Sequence, residues 1–247
     1  MKSAWIAALL FVVLDAHSAS SSGIGLRWGD CDGPSNRDFS CMVNTSADVL
    51  VGFFDPPSGV YQLTGNEMTL HFDVADGALP PWWQLRNSGS CRASSLVASW
   101  DFTGSQACTD YWNGQSIGGV GTYRVGENGP GSARLLMACA VAPDNAGPVN
   151  VGTRYASFKL VIGHQRTTGS DACAGCTTPM CITLDSITLT EPKPVNTAGP
   201  ARKHVLTDPL IAGSGPGNIA SWQGGGRCAG SSKQQVSSWG KLKTIFR

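Results

Sequence analysis

Three cysteines fall within nine residues at Cys173-Ala-Gly-Cys-Thr-Thr-Pro-Met-Cys181. Thiols at that density either hold a metal or are oxidised to disulfides. A zinc knuckle needs a histidine and a further cysteine after the first pair. Here the third candidate ligand is Cys181, and Ser186 stands where a fourth would fall. Four ligands do not occur locally, so the stretch reads as a disulfide clasp with no metal.

The chain holds nine cysteines, which leaves at least one unpaired within it. Turn-forming Gly33, Pro34 and Asn36 favour a local Cys31 to Cys41 staple. Cys91 with Cys108 would clamp the loops flanking one strand, with a bridge from either to Cys139 as the alternative. Cys173 with Cys181 would close a small loop and leave Cys176 for Cys228. Cys139 lies in the apolar run Arg134-Leu-Leu-Met-Ala-Cys-Ala-Val-Ala142. It is the expected leftover thiol, a small buried hydrophobe rather than a nucleophile.

Other chemistry is sparse. His71, His164 and His204 each sit on or beside a strand, outside any Gly-x-Ser-x-Gly or His-Glu-x-x-His context. Glu67, Asp73, Asp101 and Asp110 could pair across a sheet for glycoside chemistry, but no spacing selects them. Asp73-Val-Ala-Asp-Gly77 and Asp144-Asn-Ala-Gly147 are turn chemistry first and calcium ligands second. Asn113 to Gly121 is a glycine-rich loop or bulged edge, not a phosphate cradle. A protein without catalytic residues or a cofactor is the expectation.

Leu79-Pro-Pro-Trp-Trp-Gln84 is the most unusual local feature. Its prolines hold the backbone extended and send Trp82 and Trp83 in different directions. One reading is an aromatic platform that stacks on a sugar ring or another flat ligand, with Trp112 as a third candidate. The other is a plug that caps the open end of a two-sheet core. The plug is the stronger reading, because large aromatic residues are usually mostly buried.

The elements that position these residues read as strands. Val49–Phe54, Met68–Val74, Leu96–Phe102 and Tyr155–Ile162 are β-branched, aromatic or strictly alternating, and breaker clusters such as Asp55-Pro-Pro-Ser-Gly59 separate them. Arg134–Ala142 is apolar in both phases, as in a central strand covered on two sides. In Ile182–Leu189 the apolar phase switches, which predicts a bulge near Asp185 or Ser186. With short strands expected over His204–Ile211 and Asn218–Trp222, the fold class is all-β. An antiparallel β-sandwich, Ig-like or jelly-roll-like and stapled by disulfides, is expected, with a short C-terminal tail.

Met1 to Ser20 has a positive Lys2, an apolar Ala4 to Leu14 and small residues at Ala16, Ser18 and Ala19, the pattern of a secretory signal. The expected organisation is a signal peptide over 1–20, a sandwich over 21–192, and a Pro/Gly-rich extension over 193–247. No later stretch approaches the roughly 18 apolar residues of a membrane span. Charged residues make up 14% and the net charge is +1, so no global field draws nucleic acid. Asn44-Thr-Ser46 matches a glycosylation acceptor.

The tail ends in Trp239-Gly-Lys-Leu-Lys-Thr-Ile-Phe-Arg247, with Trp239, Leu242 and Ile245 or Phe246 at helical spacing. A docking segment or a tag read by a partner fits this pattern. The order of signal, cysteine-rich β domain and ending resembles uncharacterised exported bacterial β-rich proteins, and the resemblance implies no activity. The expected function is a secreted or surface-bound binding module, non-enzymatic, that contacts a glycan or a surface protein through its Trp-bearing loops. The alternative is a structural envelope component that attaches or self-associates through its C-terminal segment.

Overall fold

The computed structural model describes residues 22–103, 107–193, 200–212, 215–224 and 228. The expected signal over 1–20 and the tail segment from Trp239 to Arg247 lie outside the described residues. In chain order the strands are β1 (Gly23–Trp28), β2 (Asn36–Arg37), β3 (Ala47–Asp55), β4 (Gly65–Asp73), β5 (Leu96–Ser99), β6 (Thr109–Asp110) and β7 (Ile117–Val125). They continue as β8 (Ser132–Ala140), β9 (Tyr155–Gly163), β10 (Met180–Thr190), β11 (Lys203–Leu206), β12 (Ile211–Ala212), β13 (Gly215–Pro216) and β14 (Ile219–Trp222).

Two sheets face each other. The smaller runs β1-β3-β9-β5, with β6 alongside β9; the larger runs β2-β14-β10-β4-β8-β7, with β11 alongside β10. Nearly all pairs are antiparallel; β6 on β9 and β2 on β14 are parallel. The protein is therefore a disulfide-stapled antiparallel β-sandwich. Strand alternation explains the core: Met68, Leu70 and Phe72 of β4 are buried beside Leu135 and Met137 of β8, while Glu67, Thr69 and His71 face outward. Across the interior, Leu50 and Phe54 of β3 and Phe158, Leu160 and Ile162 of β9 are buried. The β10 register shifts between Leu184 and Ser186, which is the bulge that the phase switch predicts.

Three features differ from the sequence reading. β8 is covered on one face only: Ala138 and Ala140 are exposed, because β8 lies one strand from the sheet edge and nothing packs over its outer side. The short strands expected beyond 192 are present as β11 and β14, but they join the larger sheet, where β14 lies between β10 and β2. All four β14 residues are buried, so they complete the sheet rather than trail from it.

The third difference is the bridges, which join Cys31–Cys108, Cys41–Cys176, Cys91–Cys173 and Cys181–Cys228. This corrects every pairing expected from proximity along the chain. Asn36–Arg37 pairs with Ser221–Trp222 of β14 and carries Cys41 away from Cys31. Asp30 accepts from the backbone N–H of both Cys31 and Ala107, which sets Cys31 against Cys108. Cys139 is free and buried. Four disulfides mark a protein of an oxidising, non-cytoplasmic compartment. Among the described residues no helix is long and apolar enough to cross a membrane.

Candidate functional site

The tryptophan-bearing loop turns inward. Pro81–Trp83 is a single 3-10 turn, and Trp82 and Trp83 are both fully buried. Their ring centroids lie 4.9 Å apart, and each packs on Trp222 of β14, at 5.0 and 5.3 Å. Trp222 stacks on Phe39 at 4.1 Å, and Phe39 meets Trp28 of β1 edge-on. Three indole N–H groups are satisfied inside the cluster: Trp82 donates to Thr167 Oγ1, Trp222 to the Cys176 carbonyl and Trp28 to the Ser221 carbonyl, while Trp83 Nε1 is buried without a partner. Trp112 is also buried, edge-on to Tyr111.

The platform reading of Trp82, Trp83 and Trp112 is thereby corrected. With no ring face open to solvent, none of the three can stack on a ligand. The cluster is a plug, and the bridges Cys41–Cys176 and Cys91–Cys173 tie the surrounding loops over it.

The histidines are each engaged. His164 is buried, with Nε2 2.6 Å from Asp48 Oδ2. His204 Nε2 lies 3.1 Å from Glu191 Oε2, and His71 Nδ1 lies 2.9 Å from Asn128 Nδ2. Among the described residues no hydroxyl or thiol nucleophile hydrogen-bonds to any of these rings, and no three metal-binding side chains converge. Three of the four singled-out carboxylates have partners of other kinds. Glu67 pairs with Lys203, Asp101 accepts from Thr103, Asp110 caps the N–H groups of Trp112 and Asn113, and Asp73 lies on β4. Asn44 of the glycosylation motif holds a loop, since its Oδ1 accepts from the N–H of Thr167 and Thr168 and its Nδ2 donates to the Thr168 carbonyl.

Among the surfaces the fold leaves open is the outer face of the larger sheet. Register places outward residues of successive strands in rows. One row runs Lys203, Thr190, Gly65, Ala140, Ile117; the next runs Val205, Thr188, Glu67, Ala138, Gly119. Ala138 and Ala140 have small side chains and Gly65 has none, and a depression of about 310 Å³ opens over them. Ile117, 85% exposed, walls one side. Glu67 and Thr190 wall the other, with Glu67 held 2.6 Å from Lys203 Nζ. At the far end of the same face a further row runs Thr183, His71, Arg134, Arg124, with Arg134 paired to Glu127 at 3.0 Å.

Beneath the floor, Cys139 donates to Asn66 Oδ1 at 2.9 Å, and Asn66 donates to Ser157 Oγ at 2.7 Å. Burial pushes the Cys139 thiol up to about 12. The site therefore offers an apolar hollow beside one ion pair and the Thr190 hydroxyl. That arrangement can hold a side chain. Sequence reading missed it because its floor residues are adjacent only once β4, β8 and β7 are in register.

No family model matches the chain, and no curated protein does. Among solved structures it is similar to the cohesin module of the family 33 glycoside hydrolase from Clostridium perfringens. The identity is 8% and the TM-score 0.31, over 76% of this chain and 97% of that one.

Proposed function

We propose that this protein is a secreted or surface-bound binding module without enzymatic activity, and that it engages a partner protein through the outer face of its larger sheet. The observation that carries this reading is the hollow over Gly65, Ala138 and Ala140 beside the 85%-exposed Ile117. An exposed apolar side chain next to an open apolar floor is the arrangement that protein anchors fill. Burial of the tryptophans favours a protein partner over a glycan, because sugar rings are held chiefly by open aromatic faces. Export rests on the signal pattern of Met1 to Ser20 together with the four disulfides.

The test is a photo-crosslinking residue placed at Ala138, with the same residue at the exposed Val151 as control. Ala138 is expected to yield an adduct with a different chain, Val151 none, and Ala140→Arg to abolish it by filling the hollow. Equal adducts from both positions, or none from Ala138, overturn the reading. Glycan-array binding that Ala140→Arg removes would replace the partner protein with a saccharide.

A further inference from the structure

The open edges of the sandwich are treated unequally. β1 is covered by the chain itself: Ile24 N–H donates to the Asp208 carbonyl, Leu26 N–H to Gly217 and Trp28 N–H to Pro34. β14 is flanked by β2, and Ser221 and Gln223 N–H donate to Ser35 and Arg37. β2, β5, β6 and β11 are only two to four residues long. β7 has nine residues and pairs with β8 alone. Among the described residues, none of its N–H or C=O groups facing away from β8 has a backbone partner.

Long edges are usually blocked by lysine, proline or inward charges. β7, Ile117-Gly-Gly-Val-Gly-Thr-Tyr-Arg-Val125, carries one charge, Arg124, and no proline. Its register shifts between Val120 and Thr122, so Gly121 divides it into two short straight runs. One run, Ile117 to Val120, contains two glycines and no charge; the other, Thr122 to Val125, carries Tyr123 and Arg124.

We propose that β7 is the seam of a homodimer, in which two copies pair β7 antiparallel about a two-fold axis near Gly121 and join their larger sheets into one. The strand's two runs are what select a second copy as the occupant. Antiparallel pairing sets the bulky run of each copy against the glycine run of the other and keeps Arg124 away from its mate. Parallel pairing would put bulky on bulky and cation on cation. At a net charge of +1 the two copies do not repel strongly. The seam shares Ile117 with the hollow, but the two positions that test it, Gly119 and Arg124, do not line the hollow.

Sedimentation velocity of the full-length, disulfide-bonded chain from about 1 to about 100 µM tests this. A Cβ at Gly119 meets open space, so both Gly119→Lys and Gly119→Glu fit the fold. The wild type is expected to dimerise. Gly119→Lys, facing the Arg124 run of the mate, should weaken the dimer about tenfold, and Gly119→Glu should tighten it. Adding Arg124→Glu to Gly119→Lys should restore it. Misfolding would move both Gly119 variants the same way. A monomeric wild type, shifts of one sign for both variants, or a failed rescue each overturns the proposal.

Discussion

The guanidinium of Arg92 lies 3.4 Å over the ring of Trp82 and donates to that residue's own carbonyl at 2.9 Å. A second donor arm reaches the Gly163 carbonyl. Arg92 is 1% exposed, and burial pushes its pKa down to about 9, which leaves it cationic at neutral pH. Arg92→Met keeps the length and apolar bulk but strands two buried carbonyls, so a loss of about 2–4 kcal/mol is expected in chemical denaturation. Trp82→Ala should cost about 3–5 kcal/mol. The double variant should cost less than the sum, since the two residues share one contact. Additive losses would show that Arg92 holds the loop without Trp82.

Peptide mapping under non-reducing conditions should return Cys31–Cys108, Cys41–Cys176, Cys91–Cys173 and Cys181–Cys228. Chain entropy ranks their worth by the loop each closes. Cys41–Cys176 spans 135 residues, and its removal as a Ser/Ser pair should cost about 5 kcal/mol. Cys181–Cys228 spans 47 and should cost about 4. Denaturation midpoints of the two double variants check the order.

Glu191 gives the fold an acid-sensitive joint. Burial acts to raise its carboxyl pKa, but hydrogen bonds from His204 and the Tyr61 N–H, with the charges of His204 and Arg202, hold it below the ordinary 4.5. A depressed carboxyl contributes stability that is complete above its unfolded value and fades as pH falls through the folded one. Wild type should therefore lose more melting temperature than Glu191→Gln between about pH 5 and pH 3. At neutral pH the order of stability should favour wild type. Parallel acid profiles for the two proteins would remove Glu191 from this role.

Cys139 should be silent until the fold opens. With its thiol pushed up to about 12 and 5% exposed, it should not react with a disulfide-exchange reagent at neutral pH in the native chain. In denaturant one thiol per chain should titrate. Rapid labelling of native protein would mean that β8 opens locally.

Much of this fold is legible in the sequence because side chains alternate. Met68 to Val74 declares a half-buried strand by itself, and the phase switch from Ile182 and Leu184 to Ile187 and Leu189 declares the β10 bulge before any partner is known. β7 is not legible in this way. Glycines at 118, 119 and 121 carry no side chain to alternate, and the ladder to β8 alone makes the segment a strand. β1 hides for a different reason: it is buried along its whole length, so its inner and outer residues do not contrast. The candidate site was invisible because a hollow is made by what is missing, and Gly65, Ala138 and Ala140 are unremarkable until register sets them side by side. For Trp82 and Trp83 the composition allowed two readings, and the decision lay with distant partners, Trp222, Arg92 and Thr167.

The bond between Cys181 and Cys228 has a mechanical consequence. Tension arriving from the C-terminal side would reach Cys228 and pass through sulfur into β10, bypassing Trp222 and the short strand that contains it. β10 lies inside the larger sheet, with β4 on one flank and β14 on the other, so such a load would enter the sheet away from its edges.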